Sequence, residues 1–133
     1  MNESPDETRA GEQAPVPRQE WPLFCERFSR RHRGWLTTLE VGRAALADCL
    51  PLWEVSVEPR GAGTDILVTL GAGDRAMIHR VARAEAVVTL RAADGSETGL
   101  RLDPAGGRST FLSFRPSPGA DDVLDGLAPG ERL

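Results

Sequence analysis

Residues 35–114 consist of short segments in which apolar and polar side chains alternate, separated by turns rich in glycine, proline and aspartate. A period of two is typical of half-buried β-strands, because successive side chains of a strand point to opposite faces. The turns are too short to hold the crossover helices that parallel strands require. The pattern therefore predicts about six short antiparallel strands.

A single helix is predicted before these strands, over residues 19–31. Trp21, Phe24, Cys25 and Phe28 recur at the spacing of one helical face, and Gly34 follows as a helix-ending glycine. The predicted fold class is therefore α+β. The N-terminal helix covers one face or end of a strongly bent sheet or of a small barrel of the Sm or SH3 kind.

Two local predictions concern the strands. Residues 43–50 are expected to form a short helical turn or a loop, and the next strand should direct Trp53, Val55 and Val57 into the core. Trp35 is also placed on a core-facing side. Single-stranded nucleic acid stacks on aromatic side chains that face solvent beside arginines, and Phe111 is the only aromatic residue expected to face outward.

Both ends of the chain are acidic and poor in apolar residues. Residues 1–17 carry four carboxylates and one arginine, as do residues 116–133, so each end has a net charge of −3. Because the whole chain carries −4, residues 18–115 carry +2. We expect two disordered tails flanking a single domain of residues 18–115. Residues 121–127 either form a docking motif, with Val123, Leu124 and Leu127 on one side, or remain a solvated tail.

The predicted location is the cytoplasm. No apolar run approaches the roughly 20 residues that span a membrane, and the acidic start is unlike a signal peptide. Cys25 and Cys49 are too few for a disulfide framework and lie beside apolar residues, which favours two reduced, buried thiols.

Four basic residues, Arg30, Arg31, His32 and Arg33, crowd the end of the helix. They predict either a surface for an anion or RNA phosphate, or a solvated helix end whose cations complement the C-terminal carbonyls. His79 is the only other histidine of the chain. Together these five residues form the candidate anion, nucleic-acid or partner surface.

Catalytic, metal-binding and cofactor-binding residues are not predicted. No serine lies in a Gly-x-Ser-x-Gly elbow, and neither cysteine has a second cysteine or a histidine at metal-ligand spacing. The glycine pair at Gly71 and Gly73 does not lie between a strand and a helix, as a phosphate-binding loop would.

Residues 21–40 combine a tryptophan and phenylalanine helix, a Ser-Arg-x-His-x-Gly turn and a first strand. With Leu50-Pro51-Leu52, His79 and the Asp94-Gly95 turn, this resembles the bacterial family called domain of unknown function 5335. The resemblance covers about residues 18–116. It implies an α+β fold and a bacterial origin, and brings no activity with it.

The preferred function is a non-enzymatic protein-interaction or regulatory module, acting on a protein partner or through self-association. Acidic tails either bind basic surfaces or shield a basic site on the same chain. One alternative is an Sm-like RNA-binding protein that uses the arginine-rich helix end. The other is a small enzyme of unknown class.

Overall fold

The computed structural model describes residues 12–114, in which one helix accompanies eight strands. Helix α1 spans Trp21–His32, and short 3-10 helices occupy Arg18–Glu20 and Gly73–Arg75. The strands are β1 (Glu12–Pro15), β2 (Leu36–Val41), β3 (Ala44–Arg60), β4 (Gly63–Leu70), β5 (Met77–Val81), β6 (Ala84–Arg91), β7 (Glu97–Pro104) and β8 (Thr110–Phe114).

All eight strands belong to one antiparallel sheet with the order β1-β6-β7-β8-β2-β3-β4-β5. The sheet folds over, because Nε2 of His79 in β5 lies 3.2 Å from Oγ1 of Thr110 in β8 although three strands separate them in the order. The sheet nevertheless remains open, since β1 and β5 each have only one neighbouring strand.

The predicted α+β fold, with about six strands in a strongly bent sheet or small barrel, is therefore wrong, because the described residues form an open sheet of eight strands. The helix is confirmed, but the described residues are largely sheet. Two features of the fold were not predicted from the sequence. β1 lies in the stretch assigned to the N-terminal tail, and residues 43–50 are not a helical turn or a loop but run into the first half of β3.

Strand β3 is 17 residues long and joins the two parts of the sheet. Its first half pairs with β2 as far as Pro51, and its second half pairs with β4 from Leu52 onward. The alanine- and leucine-rich first half favours a helix by intrinsic propensity. Pairing with β2 supplies a tertiary context that overrides this preference.

The domain begins earlier than the predicted residue 18. Pro15 pairs with Val88 in β6, and the Val16 amide donates to the Val87 carbonyl at 2.8 Å. A proline is tolerated here because an edge strand needs ladder hydrogen bonds on one side only. The rest of the predicted N-terminal tail, residues 1–11, and the predicted C-terminal tail, residues 116–133, lie outside the described residues, as does the predicted motif of residues 121–127.

The core lies between α1 and the folded sheet. The predicted helix stripe is confirmed for Trp21, Cys25 and Phe28, which are all at most 2% exposed. Buried apolar side chains of the sheet complete the core: Leu39, Leu52, Val55, Ile66, Val68, Leu70, Val81, Ala84, Val87, Leu100, Leu102 and Leu112.

Ser29 of α1 covers an unpaired edge of β3. The Val55 amide donates to the Ser29 hydroxyl oxygen at 2.8 Å, and this hydroxyl lies 2.7 Å from the Cys25 carbonyl and 3.0 Å from the Val55 carbonyl, either of which accepts its proton. Strand β2 pairs with β3 only as far as Pro51. The Ser29 side chain thus replaces a neighbouring strand at Val55, and we call this contact the Ser29 bridge.

We expect Ser29→Ala to lower the free energy of unfolding by about 1–3 kcal/mol, because the buried Val55 amide would lose its acceptor. Urea unfolding at neutral pH measures the change. Ser56→Ala on the same strand is the matched control, since Ser56 is only half-buried. Equal stability of the two variants would contradict the role assigned to the Ser29 bridge.

Candidate interaction surface at the end of the helix

His32, in the last turn of α1, is a buried residue with a polar neighbour at each ring nitrogen. It is 3% exposed. Nδ1 lies 2.9 Å from the Phe28 carbonyl, which can only accept, so Nδ1 carries a proton. Nε2 lies 3.2 Å from a carboxylate oxygen of Glu97 in β7. His32 therefore packs between α1 and β7 and does not face solvent.

The arginines before His32 are matched by carboxylates. Arg31 donates to both carboxylate oxygens of Glu97, at 2.9 and 3.0 Å, in a bidentate arrangement. Arg30 pairs with Glu26 one helical turn away at 2.6 Å, and both of these side chains are exposed. Two of the four basic residues at the helix end are thus already neutralised.

Burial lowers the pKa of His32 below its ordinary value of 6.5. The hydrogen bond to Phe28 and the Glu97 carboxylate both act in the opposite direction, while the Arg31 guanidinium adds to the lowering. The protonation of His32 is therefore set by a cluster that links α1 to β7.

An aromatic stack surrounds the His32 ring. The ring centroids of Phe28 and Phe114 lie 4.5 and 4.6 Å from that of His32. Trp35 packs its edge against the same cluster, 4.6 Å from His32 and 5.1 Å from Phe114, yet it remains 46% exposed. Trp35 thus lies past the end of the core instead of inside it, which corrects its predicted placement.

Trp53 faces solvent because it is the extra residue of a β-bulge. β3 has one residue more than β4 between the pairs Leu52↔Leu70 and Glu54↔Thr69. The bulge allows Leu52 and Val55, three positions apart, both to enter the core, and it leaves Trp53 51% exposed. The prediction that Trp53 lies in the core is wrong for this reason.

Arg33 holds Trp53 in place from the opposite side of the turn. Its Nε donates to the Trp53 carbonyl at 2.9 Å, and its guanidinium lies 4.8 Å from the centre of the Trp53 ring. Gly34, at φ +90°, turns the chain so that its amide donates to the Leu52 carbonyl at 2.8 Å.

The hydrogen bonds of Gly34 and Trp35 with Leu52 place the backbones of Arg33, Trp35, Leu36 and Trp53 close together, and we call this region the Trp–Arg corner. Its three apolar members are each at least 41% exposed. A groove of about 280 Å³ lies beside it between α1 and β3, with Cys25, Ser29 and Val55 among its lining residues and Glu26, Arg30, Arg33 and Glu54 as its charged ones.

His79 is not part of this surface. It lies on β5 against Thr110, and burial lowers its pKa. In the described residues no contact links it to His32 or to the arginines of the helix end. Of the five residues proposed from the sequence, only Arg33 contributes directly to the Trp–Arg corner.

A second concave surface, of about 490 Å³, contains three arginines and one buried carboxylate. Asp65 accepts from the Arg83 amide at 2.9 Å and from Arg80 at 2.6 Å, and Arg80 also reaches Glu58 at 2.7 Å. Arg60 lies 3.9 Å from both carboxylates. Asp65 thereby ties β4 to the β5–β6 turn, and its guanidinium neighbours are largely neutralised.

Cys25 is a buried thiol that is not activated as a nucleophile. Burial raises the pKa of the Cys25 thiol to about 12, which keeps it protonated near neutral pH. No disulfide joins Cys25 and Cys49, and Cys49 is only half-buried, which corrects its predicted burial. Within residues 12–114, no group of three or more histidine, cysteine, aspartate or glutamate side chains is arranged to hold a metal ion.

Comparison of the chain with protein-family models, with curated proteins and with solved structures finds no match. The function of the Trp–Arg corner therefore has to be argued from its own chemistry. Its one signal in the sequence is the apolar pair Leu52 and Val55, three positions apart, which an uninterrupted alternation cannot bury together.

We expect the pKa of His32 to fall further in Glu97→Gln, because the change removes a carboxylate that stabilises the imidazolium. In Arg31→Ala the pKa should rise, because a guanidinium that opposes protonation is lost. NMR titration of the histidine Cε1 protons measures both shifts, and His79 is the internal control. An unchanged His32 signal in both variants would argue against its placement beside Glu97.

The Arg83 amide and the Arg80 guanidinium hold the pKa of Asp65 below its ordinary value of 3.8. Asp65 therefore stabilises the fold at neutral pH, and this contribution is lost as the pH falls below about 4 and through the lowered pKa. We expect Asp65→Asn to be less stable than the wild type at pH 7, with the difference shrinking in acid. Asp74→Asn, at an exposed position, is the control in urea unfolding. A difference that does not depend on pH would exclude this account.

Proposed function

We propose that this protein is a protein-interaction module whose contact surface is the Trp–Arg corner. The observation that carries the proposal is the bulge at Trp53, which exposes a large aromatic side chain beside Arg33 instead of burying it. Bulges often redirect a side chain toward a functional surface. Tryptophan and arginine are also the residues most enriched among those that dominate binding energy in protein interfaces.

The setting of the corner fits a protein partner. Arg33 and Trp53 hold one another in a fixed geometry, so little side-chain entropy remains to be lost on binding. Trp35 is fixed along one edge by His32 and Phe114 and offers its remaining surface to solvent. Exposed aromatic surface beside charged residues is the usual composition of an interface centre and its rim.

RNA binding is less well supported. The notion of an Sm-like ring depended on a barrel, whereas the sheet is open. At the helix end, Arg30 and Arg31 are engaged by Glu26 and Glu97, which removes most of the phosphate-binding potential expected there. The exposed pair of Trp53 and Arg33 resembles a base-stacking platform, so nucleic acid remains an outcome that the experiment below must distinguish.

A bacterial cytoplasmic location and membership of the domain of unknown function 5335 family belong to the same proposal. They rest on the composition of the chain and on the motifs of residues 21–52, His79 and Asp94-Gly95. Within the described residues, no helix has the length and apolar character needed to cross a membrane. An enzymatic role finds no support in the arrangement of the described titratable groups.

The test compares affinity capture by the tagged wild-type chain with capture by Trp53→Ala and Arg33→Ala. Ile78→Ala is the matched control, because Ile78 is also a large exposed apolar residue but lies on β5. We expect the wild type and Ile78→Ala to retain a defined protein partner. Trp53→Ala should weaken binding of this partner by about tenfold or more, as the loss of a hot-spot residue does.

Circular dichroism establishes that each variant is folded before its capture is compared. Equal capture by Trp53→Ala and Ile78→Ala would reject the Trp–Arg corner as the contact surface. Material that absorbs at 260 nm and leaves at high salt or after nuclease treatment would replace the proposal by nucleic-acid binding.

A further inference from the structure

The described chain ends at the Trp–Arg corner. Phe114 is the last residue of β8, and its ring lies 5.1 Å from the ring of Trp35. Residues 115–133 therefore continue from a point in direct contact with the exposed surface. Of these, residues 115–120 read RPSPGA and precede segment 121–127. Six extended residues reach about 20 Å.

The next seven residues are rich in acidic and apolar side chains. Residues 121–127 read DDVLDGL, with three aspartates and with Val123, Leu124 and Leu127 at spacings that share one side of a helical turn. The corner offers the exposed faces of Trp35, Leu36 and Trp53. Apolar side chains of the segment match these faces in chemistry.

Charge complementarity favours the same pairing. Arg33 has no carboxylate partner among the described residues, and neither does Arg27 on the same helix. The carboxylates nearest to the groove are Glu26, which is bound to Arg30, and Glu54. Segment 121–127 carries a charge of −3 without a basic residue, so its aspartates would supply the partner that Arg33 lacks.

We propose that segment 121–127 docks on the Trp–Arg corner of its own chain, with Val123, Leu124 and Leu127 against Trp35 and Trp53 and its aspartates toward Arg33. A short linker gives a tethered segment an effective concentration in the millimolar range, so weak contacts suffice. The inference rests on the surface of the proposed function and adds its regulation, since an external partner must displace the segment.

Acrylamide quenching of tryptophan fluorescence tests this docking without a partner. The chain has three tryptophans, and Trp21 is 2% exposed, so quenching reports on Trp35 and Trp53. We expect the quenching constant to rise when the chain is ended after Arg115 and to rise equally in Leu124→Ser/Leu127→Ser. Leu133→Ser, which removes a leucine outside segment 121–127, is the matched control and should resemble the full chain.

Two further outcomes overturn the proposal. If the full chain and the chain ended after Arg115 are quenched equally, the segment does not cover the corner. If the protection disappears on dilution together with a fall in native mass, a second copy of the chain is the occupant. Loss of a captured partner in Trp53→Ala is a separate readout, so failure of self-docking leaves the proposed function standing, and the reverse also holds.

Discussion

The Ser29 bridge is the contact on which the rest of this structure depends. Strand β3 is longer than its neighbour β2, so its second half has an edge without a strand beside it. An uncovered edge of this kind exposes backbone donors and acceptors and invites aggregation. A single helix covers it, and the Ser29 hydroxyl supplies the hydrogen bond at Val55 that a missing strand would have made.

The exposed surface follows from this arrangement. With Val55 bound to α1 and Leu52 bound to the turn at Gly34 and Trp35, the chain between them has one residue too many for the β4 register. Trp53 is that residue and is directed outward. The His32 cluster fixes the end of α1 on the opposite side, through Phe28, Phe114 and Glu97. The Trp–Arg corner thus lies between the Ser29 bridge and the His32 cluster, which hold its residues in position as a binding site requires.

The sequence indicated the parts of this architecture that depend on local periodicity. The helix stripe of Trp21, Cys25 and Phe28 and the antiparallel pairing of the strands follow from spacings of about four and two residues. It did not indicate β1, whose proline is acceptable only at an edge, or the first half of β3, whose alanines favour a helix. At the candidate site it found Arg33 but misplaced Trp53, because a bulge changes which face a side chain occupies and depends on partner strands distant in sequence. The burial of His32 likewise depends on Glu97, 65 positions away.

The most direct test of this account is native-state hydrogen exchange at the Val55 amide. If the Ser29 hydroxyl accepts this hydrogen in the folded protein, the amide should be protected to the level of the slowest core amides of β3 and β4, because it opens only when α1 separates from the sheet. Exchange as fast as that of an exposed strand edge would contradict the account, since α1 would then not cover β3 and the Ser29 bridge would not anchor the strand next to Trp53.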